Sequence, residues 1–515
     1  MINNATDVLI VGAGPTGLLL ALALTKLGVR VRIIDETAEP GTTSRALAVQ
    51  ARTLEFYRQL DLADDVIHRG LRLNAVNLWR RGTRAARVEL GPIGEGLSPF
   101  PFGIIFPQDE HERLLVERLL GLGIAVERRT VLDAVEEGAS AVIAHTRNAE
   151  GTLTTCEATY VAGCDGARST IRGAMGAGFP GGTYEHLFYV ADVRARGAQM
   201  NQELHVMLDE AGFLGLFPLA GDRRARLIGT VRADAAAAGE ALRWEDVDRR
   251  PIDRIGLQVD HVNWFSTYHV HHRVADRFRR GRLFLLGDAA HIHSPVGGQG
   301  MNTGLGDAMN LAWKLAAVIG GCAKGDLLDT YEPERMAFAR KLVATTDRAF
   351  QAASSEGRVA EVLRTNIVPR IVPRIIRTKI GRRVFFRALS QTGIEYRTSP
   401  WSGKSVGAVR SGDRLPWVAP ARTGDTDNFT PLRSLDWQVH VYGTASPQVR
   451  SGCDERRLPL HVFPFAERAT AAELRQDALY LVRPDGYLGG VFGAVGGVSD
   501  LAEYLDLHGI RPRST

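Results

Sequence analysis

The chain has 515 residues, 45% of them hydrophobic, with 63 Lys+Arg against 58 Asp+Glu; this is enough apolar material for roughly two to four domains and excludes a mainly disordered chain. Its four cysteines, Cys156, Cys164, Cys322 and Cys453, lack CxxC or Cys/His spacing, so neither a disulfide scaffold nor a zinc module is encoded and a reducing cytoplasm fits best. The 55 glycines follow no collagen-like period and point instead to close backbone approaches.

Residues 8–25 form the longest uncharged apolar run, but Asp7 precedes it and Gly12, Ala13, Gly14, Pro15, Thr16 and Gly17 split it. The sequence therefore predicts a strand and a helix there, with no targeting or membrane-spanning segment. Val8 to Val11 reads as a strand of a parallel sheet buried on both faces. The glycine turn follows, and Leu18 to Leu24 reads as a buried helix whose N-terminal N–H groups suit a pyrophosphate. A second strand, Val31 to Ile34, ends at Asp35 and Glu36, and the acid about 20 residues beyond the first glycine suits a ribose hydroxyl pair. Together these features point to an adenine dinucleotide without saying which one.

Further along, Ala158 to Ala162 is strand-like and runs into Gly163-Cys164-Asp165-Gly166. In 204–219, strand alternation puts His205 and Met207 on one face, with Phe217 following; His205 is a weak candidate base whose alternative is a satisfied strand histidine. His269, His271 and His272 suggest metal on spacing alone, but no carboxylate or cysteine cluster accompanies them, so no metal is expected. Gly281 to Asp288 is another buried strand closing on a carboxylate, and the glycine-rich turn 295–300 opens a helix whose N–H dipoles suit a developing negative charge. Residues 358–387 hold nine Lys/Arg against the single acid Glu361. Pro369 and Pro373 interrupt any long amphipathic helix and no aromatic platform accompanies the charges, so a solvated linker is expected rather than nucleic-acid or membrane binding.

The set GxGxxG, GCDGxRS and GRLFLLGDAAH…PxGGQGMN resembles the single-component flavoprotein aromatic hydroxylases of the p-hydroxybenzoate hydroxylase fold, within them most closely the phenol, phenylpropionate and aromatic polyketide hydroxylases. The likeness extends through Asn310 to Leu315, Tyr331 to Arg335 and Leu481 to Gly486. It implies an α/β fold: a Rossmann-like FAD-binding domain (1–175 and 271–395, the latter ending in a helical linker), an inserted antiparallel substrate sheet (176–270) and a thioredoxin-like C-terminal domain (400–515). That last domain has no CxxC, so a structural or homodimer-forming role is expected of it.

The resemblance also implies FAD as cofactor, NADPH or NADH as cosubstrate, and O2. Gly12, Gly14, Pro15, Thr16, Gly17, Asp35 and Glu36 would hold the ADP half, Arg45 and Gln108 would lie near it or the flavin, and Asp288 would meet the ribityl chain. Asp165 would serve both FAD and nucleotide docking, or merely cap a turn. Pro295 would line the reaction site, with Gly298, Gly300, Met301 and Asn302 around the flavin pyrimidine edge. The implied chemistry is hydroxylation of an electron-rich aromatic carbon through a C4a-hydroperoxyflavin. Baeyer–Villiger insertion into a polyketide ketone, or a flavin protein that sequesters an intermediate without turnover, are the alternatives. In the stretch 203–219, the likely counterpart of the strand that carries a carboxylate-binding arginine in benzoate-type members, no basic residue but His205 occurs before Arg223, so the pocket, with Met207 and Phe217 as lining candidates, is expected to be mainly apolar and to favour a neutral phenol or polyketide over a benzoate.

Overall fold

In the computed structural model all residues are described except 1–4, 42–45, 92, 210–211, 232–241, 295, 355–370, 372–373, 377, 423 and 514–515. The apolar run at the N-terminus folds as the strand Ala5–Val11 and the helix Pro15–Lys26. The strand is central because its residues from Val8 to Val11 are apolar on both faces, and parallel neighbours cover both edges: Leu153–Gly163 on one side and Val31–Ile34 on the other. Leu283–Leu285 extends the sheet beyond Leu153–Gly163, also in parallel. The helix Gly300–Ile319 packs on Pro15–Lys26. All elements of this unit therefore deliver their loops, 12–17, 35–37, 164–169 and 286–302, to the carboxyl ends of parallel strands, where open α/β sheets bind ligands.

A second sheet has eight strands in the order 291–292, 258–274, 181–196, 224–230, 212–218, 204–209, 75–80 and 83–89. It is antiparallel except where Leu204–Asp209 meets Ala75–Arg80, so it recruits strands on both chain sides of the 176–270 insert. Register sorts its side chains. His205 pairs with Leu216 and Met207 with Leu214; these join Tyr189, Ala191, Val193 and Leu227 under the cover of 244–257, in a core of their own. Phe217 pairs with Arg226, Arg226 with Asp192 and Asp192 with Trp264, and cross-strand partners share a face. Phe217 thus lies on the opposite face, the one that meets Leu47, Leu71, Leu73 and Ile105 of the nucleotide-binding unit.

The third unit is a mixed four-stranded sheet, ordered 460–463, 438–442, 479–482 and 488–492, flanked by helices Pro447–Glu455 and Gly497–His508. Cys453 is buried in its core, and burial pushes its thiol up to about 11, away from the range of a reactive thiolate.

Candidate functional site

The nucleotide loop is built from three glycines with three different surroundings. Gly12 has φ +100°, and a Cβ there would lie 2.3 Å from the Cys164 carbonyl oxygen; at Gly17 it would lie 2.0 Å from the Gly12 oxygen. These two positions close the loop on neighbouring backbone. Gly14 caps the helix Pro15–Lys26, and a Cβ there would meet nothing within 4 Å. The open side of the loop is therefore the side to which the helix presents its N-terminal dipole.

Asp35 sits at the end of its strand as the sequence predicts, and binds the loop itself. Its Oδ2 accepts the Ala13 N–H at 2.6 Å and its Oδ1 that of Thr37 at 2.8 Å. Arg128, which sequence reading passed over, places Nη1 3.5 Å from Asp35 Oδ1, while its buried Nη2 has no partner. Glu36 is exposed. Gln108 begins the helix Gln108–Gly121 and donates from Nε2 to Glu112 at 2.8 Å, while Glu112 accepts the Gly41 N–H at 3.0 Å. Burial pushes the Glu112 carboxyl up, and Asp35 adds to the rise. Arg45 and Pro295 lie outside the described residues.

Asp165 caps a turn with one of its two carboxylate oxygens. Oδ2 accepts the N–H groups of Thr170 and Ile171 at 2.7 and 3.2 Å, capping the short helix Thr170–Ala174. Its Oδ1 is buried without a partner, and burial raises the carboxyl above its ordinary range. One oxygen is thus spent on the fold and the other is buried without a hydrogen-bond partner.

Asp288 is exposed on the turn Gly287–Ala289. That turn is held by a residue the motif reading missed: Asp307, fully buried, accepts the Gly287 N–H at 3.0 Å and binds His291 Nε2 at 2.7 Å and Arg335 Nε at 2.6 Å. Burial pushes the Asp307 carboxyl up, but the charges of Arg335 and His291 outweigh it and hold it down. Gly287 and Gly304 are both needed for closeness, since a Cβ on either would crowd Thr16 Oγ1 at 2.8 and 2.4 Å. Thr16 thus works as a packing contact between the two helices.

Asn302 has all its hydrogen-bonding capacity inside the protein. Its Oδ1 accepts from the Gln50 N–H and Thr53 Oγ1 at 2.9 and 2.8 Å, and its Nδ2 donates to the Ala48 and Gly298 carbonyls, both at 2.8 Å. Its side chain therefore shapes the turn rather than touching a ligand. Gly298 has φ +62° and abuts Ala48, Gly300 opens the long helix, and Met301 packs at the edge of the core. Beside Gly300 the sequence reading missed His293. Its Nδ1 lies 2.8 Å from the Ser294 carbonyl oxygen, its Nε2 is buried with no partner, and burial lowers its pKa to about 4.

Of the substrate-side candidates, Phe217 alone reaches the face that meets the nucleotide-binding unit. His205 is turned away: Trp79 Nε1 donates to its Nδ1 at 2.9 Å, and its Nε2 lies 3.0 Å from Asn201 Oδ1. With both nitrogens engaged and its pKa lowered by burial, His205 has no lone pair left for a base, and Met207 is buried beside it in the outer core. The opposite face carries Phe188, Phe213 and Tyr268 near one end and the row Trp264, Asp192, Arg226, Phe217 further along. Arg226, 2% exposed, forks onto Asp192 with Nε–Oδ1 at 2.5 Å and Nη2–Oδ2 at 2.8 Å. The sheet thus does hold a buried arginine on this face, but an aspartate two strand positions beyond Val190 neutralises it. Cross-strand register puts both on one face, and pairing across strands is invisible in one sequence.

An FAD molecule suits these residues: an open glycine turn at a helix N-terminus, a carboxylate oxygen and a guanidinium nitrogen buried without partners, and a second glycine turn opening a long helix. Among the described residues no cluster of His, Cys, Asp and Glu is arranged to hold a metal, and no helix is long and apolar enough to cross a membrane.

Comparison with known proteins places this geometry. Residues 5–346 match the family described as FAD binding domain. A 12-dehydrotetracycline 5-monooxygenase/anhydrotetracycline 6-monooxygenase of Streptomyces rimosus is 31% identical over 509 residues, 94% of each chain. The 6-methylpretetramide 4-monooxygenase of Streptomyces rimosus is 36% identical over 365 residues, 70% of this chain but only 64% of that protein, less than two thirds of its length. Among solved structures, the anhydrotetracycline hydroxylase OxyS from Streptomyces rimosus superposes with TM-score 0.78 at 28% identity, over 99% of this chain and 100% of that one.

Proposed function

The chain belongs to the FAD-binding-domain family and is an FAD-dependent aromatic monooxygenase, and from that premise we propose that it hydroxylates a neutral, polycyclic phenol of the polyketide type. The observation that carries this reading is the aromatic face of the second sheet, Phe188, Phe213, Phe217 and Tyr268, in which a buried cation, Arg226, is neutralised by Asp192. A benzoate would need a free positive charge there; a flat phenolic ring system needs apolar area and a few polar contacts. The relatives named above act on tetracycline-type ring systems, which supports the same class.

Bound FAD, reduced by NAD(P)H, supplies the activation of O2 and the transfer of one oxygen atom. The chain supplies the rest. The N–H groups at Gly12 to Gly17 and the orphaned Arg128 Nη2 would bind the ADP half, with Asp35 fixing the loop that does so. Asp165 Oδ1 would accept a hydroxyl of the cofactor. The N-terminus of helix Gly300–Ile319 would favour negative charge at the flavin pyrimidine edge, its turn held rigid by Asn302 and Asp307. The aromatic face would exclude water from the reacting carbon. The cell compartment we propose is the cytoplasm, in keeping with four unpaired cysteines, and the partner is a small molecule rather than a nucleic acid.

Turnover of a tetracyclic phenol under isotopically labelled O2 tests the reading: one labelled oxygen atom in the ring product is expected. Nucleotide oxidation that yields hydrogen peroxide alone, for every phenol tried, would overturn it.

A further inference from the structure

The helix Lys379–Leu389 ends against a backbone cost. Ser390 is its C-cap, and Gln391, the next residue, has φ +60°, the left-handed conformation that glycine takes at this position with least strain. Of the ten non-glycine residues with positive φ among those described, only Gln391 and Leu435 are buried. A long polar side chain kept there in spite of the backbone points to a task for the side chain itself.

The Gln391 amide clasps the turn that opens the helix Gly300–Ile319. Its Nε2 donates to Gln299 Oε1 at 2.7 Å, to the Gln299 carbonyl oxygen at 3.3 Å and to Thr303 Oγ1 at 3.0 Å. Gln299 answers in the other direction, its own Nε2 donating to the Leu389 carbonyl at 2.8 Å. Gln299 is the N-cap of the long helix and Thr303 lies in its first turn, and both are buried. The clasp is anchored on the C-terminal unit by two routes. Beyond Gln391 the Tyr396 N–H donates to the Gly412 carbonyl at 2.7 Å. Behind it, the Ser390 carbonyl accepts the Arg52 N–H at 3.1 Å. Arg52 belongs to the helix Ala51–Gln59, which holds Asn302 at its start through Gln50 and Thr53 and meets Asp427 and the Pro484 carbonyl at its end, from Arg58 at 2.6 Å and Gln59 at 3.1 Å.

We propose that Gln391 is a positioning residue for the flavin: by clasping Gln299 and Thr303 it fixes the direction in which the first turn of the long helix presents its N–H groups, and so sets how well negative charge is held at the flavin pyrimidine edge. The proposal rests on the placement of that edge at this helix N-terminus.

Redox titration of the FAD-loaded protein, with its flavin absorption spectrum and thermal melts, tests it. Gln391→Gly suits the left-handed backbone and removes the amide. The fold is expected to stand, while the reduced flavin is held about tenfold less tightly relative to the oxidised form, a midpoint potential about 30 mV lower for a two-electron couple. Gln391→Asn also tolerates this backbone, but its amide is too short for the clasp; it should shift the potential the same way, and it decides the matter if the glycine variant does not fold. Gly300→Asp is the control for the placement. A Cβ there meets nothing nearer than His293 at 3.7 Å, an acid suits a helix start, and its charge should lower the potential if the pyrimidine edge lies beside it. Wild-type potential and spectrum in the Gln391 variants, with a lowered potential in Gly300→Asp, would make Gln391 a structural residue only and overturn the proposal. If Gly300→Asp leaves the potential unchanged as well, the placement of the flavin fails and the proposal falls with it.

Discussion

Arg483 closes both terminal nitrogens on the carboxylate of Glu334, Nη1 to Oε1 at 2.9 Å and Nη2 to Oε2 at 3.0 Å, and so joins the C-terminal sheet to the helix Tyr331–Ser354 of the FAD-binding unit. Glu334 also accepts from Lys314 and Asn310, at 2.8 and 2.7 Å, and from Ser399 at 2.7 Å, while Arg483 is held by Asp485 at 2.7 Å. All are buried. Three stretches far apart in sequence, 310–315, 331–335 and 481–486, are thus one network, and their charges are paired rather than catalytic.

Breaking one member leaves an uncompensated buried charge. Glu334→Ala should lower stability by about 3–5 kcal/mol and undock the C-terminal domain, seen as a large fall in Tm and earlier proteolysis. Replacing Arg483 by Lys should cost less but lose the two-point geometry.

The glycine turn separates folding from binding. Gly17→Ala forces Cβ into backbone and should destabilise even the FAD-free protein, by about 1–3 kcal/mol. Gly14→Ala should leave the Tm of the FAD-free protein unchanged, yet weaken FAD about tenfold or more, because its Cβ enters the side open to the pyrophosphate. Fluorimetric FAD titration beside thermal melts of the stripped proteins checks both.

Acid should unfold the protein early. His111, lowered to about 3 by burial, and His293, at about 4, stay neutral in the folded chain, whereas the unfolded chain takes up their protons below about pH 6.5. Depressed pKa values mean that the unfolded state binds more protons, so stability falls as pH drops from 6.5, by roughly 1 kcal/mol per histidine per pH unit. Below about 4.5 the paired carboxylates Asp307 and Glu334, also depressed, add to the loss. Denaturant melts at about pH 7 and 5.5, with His293→Leu removing one share, measure the slope.

The ion pair in the substrate sheet sets a further test. Arg226→Met alone strands Asp192 and should cost about 3–5 kcal/mol, whereas Arg226→Met/Asp192→Leu should restore most of it. If the pair keeps the pocket neutral, the double variant should still bind an apolar tetracyclic phenol, followed by the flavin absorbance change, and should still reject benzoate.

Much of the nucleotide-binding unit was legible in sequence because it is written locally: a buried strand, a glycine turn and an acid at a strand end each declare themselves within a few residues. The second sheet was not. Its faces depend on register between strands up to about 130 residues apart, so His205 and Met207 were grouped with Phe217 although pairing puts Phe217 on the other face. Asp307, Arg128 and His293 escaped for a related reason. Their neighbours come from other loops, and nothing in one sequence marks an orphaned Nε2 or a carboxylate that ties a distant turn.

The anaerobic rate of flavin reduction by NADPH and by NADH, with and without phenols, naphthols and tetracyclic polyketide-type ligands, tests the central claim most directly. A polycyclic phenol that accelerates reduction many-fold, with benzoate inert, is the predicted result. If neither nucleotide reduces the bound flavin in the presence of any of these ligands, the monooxygenase account is contradicted.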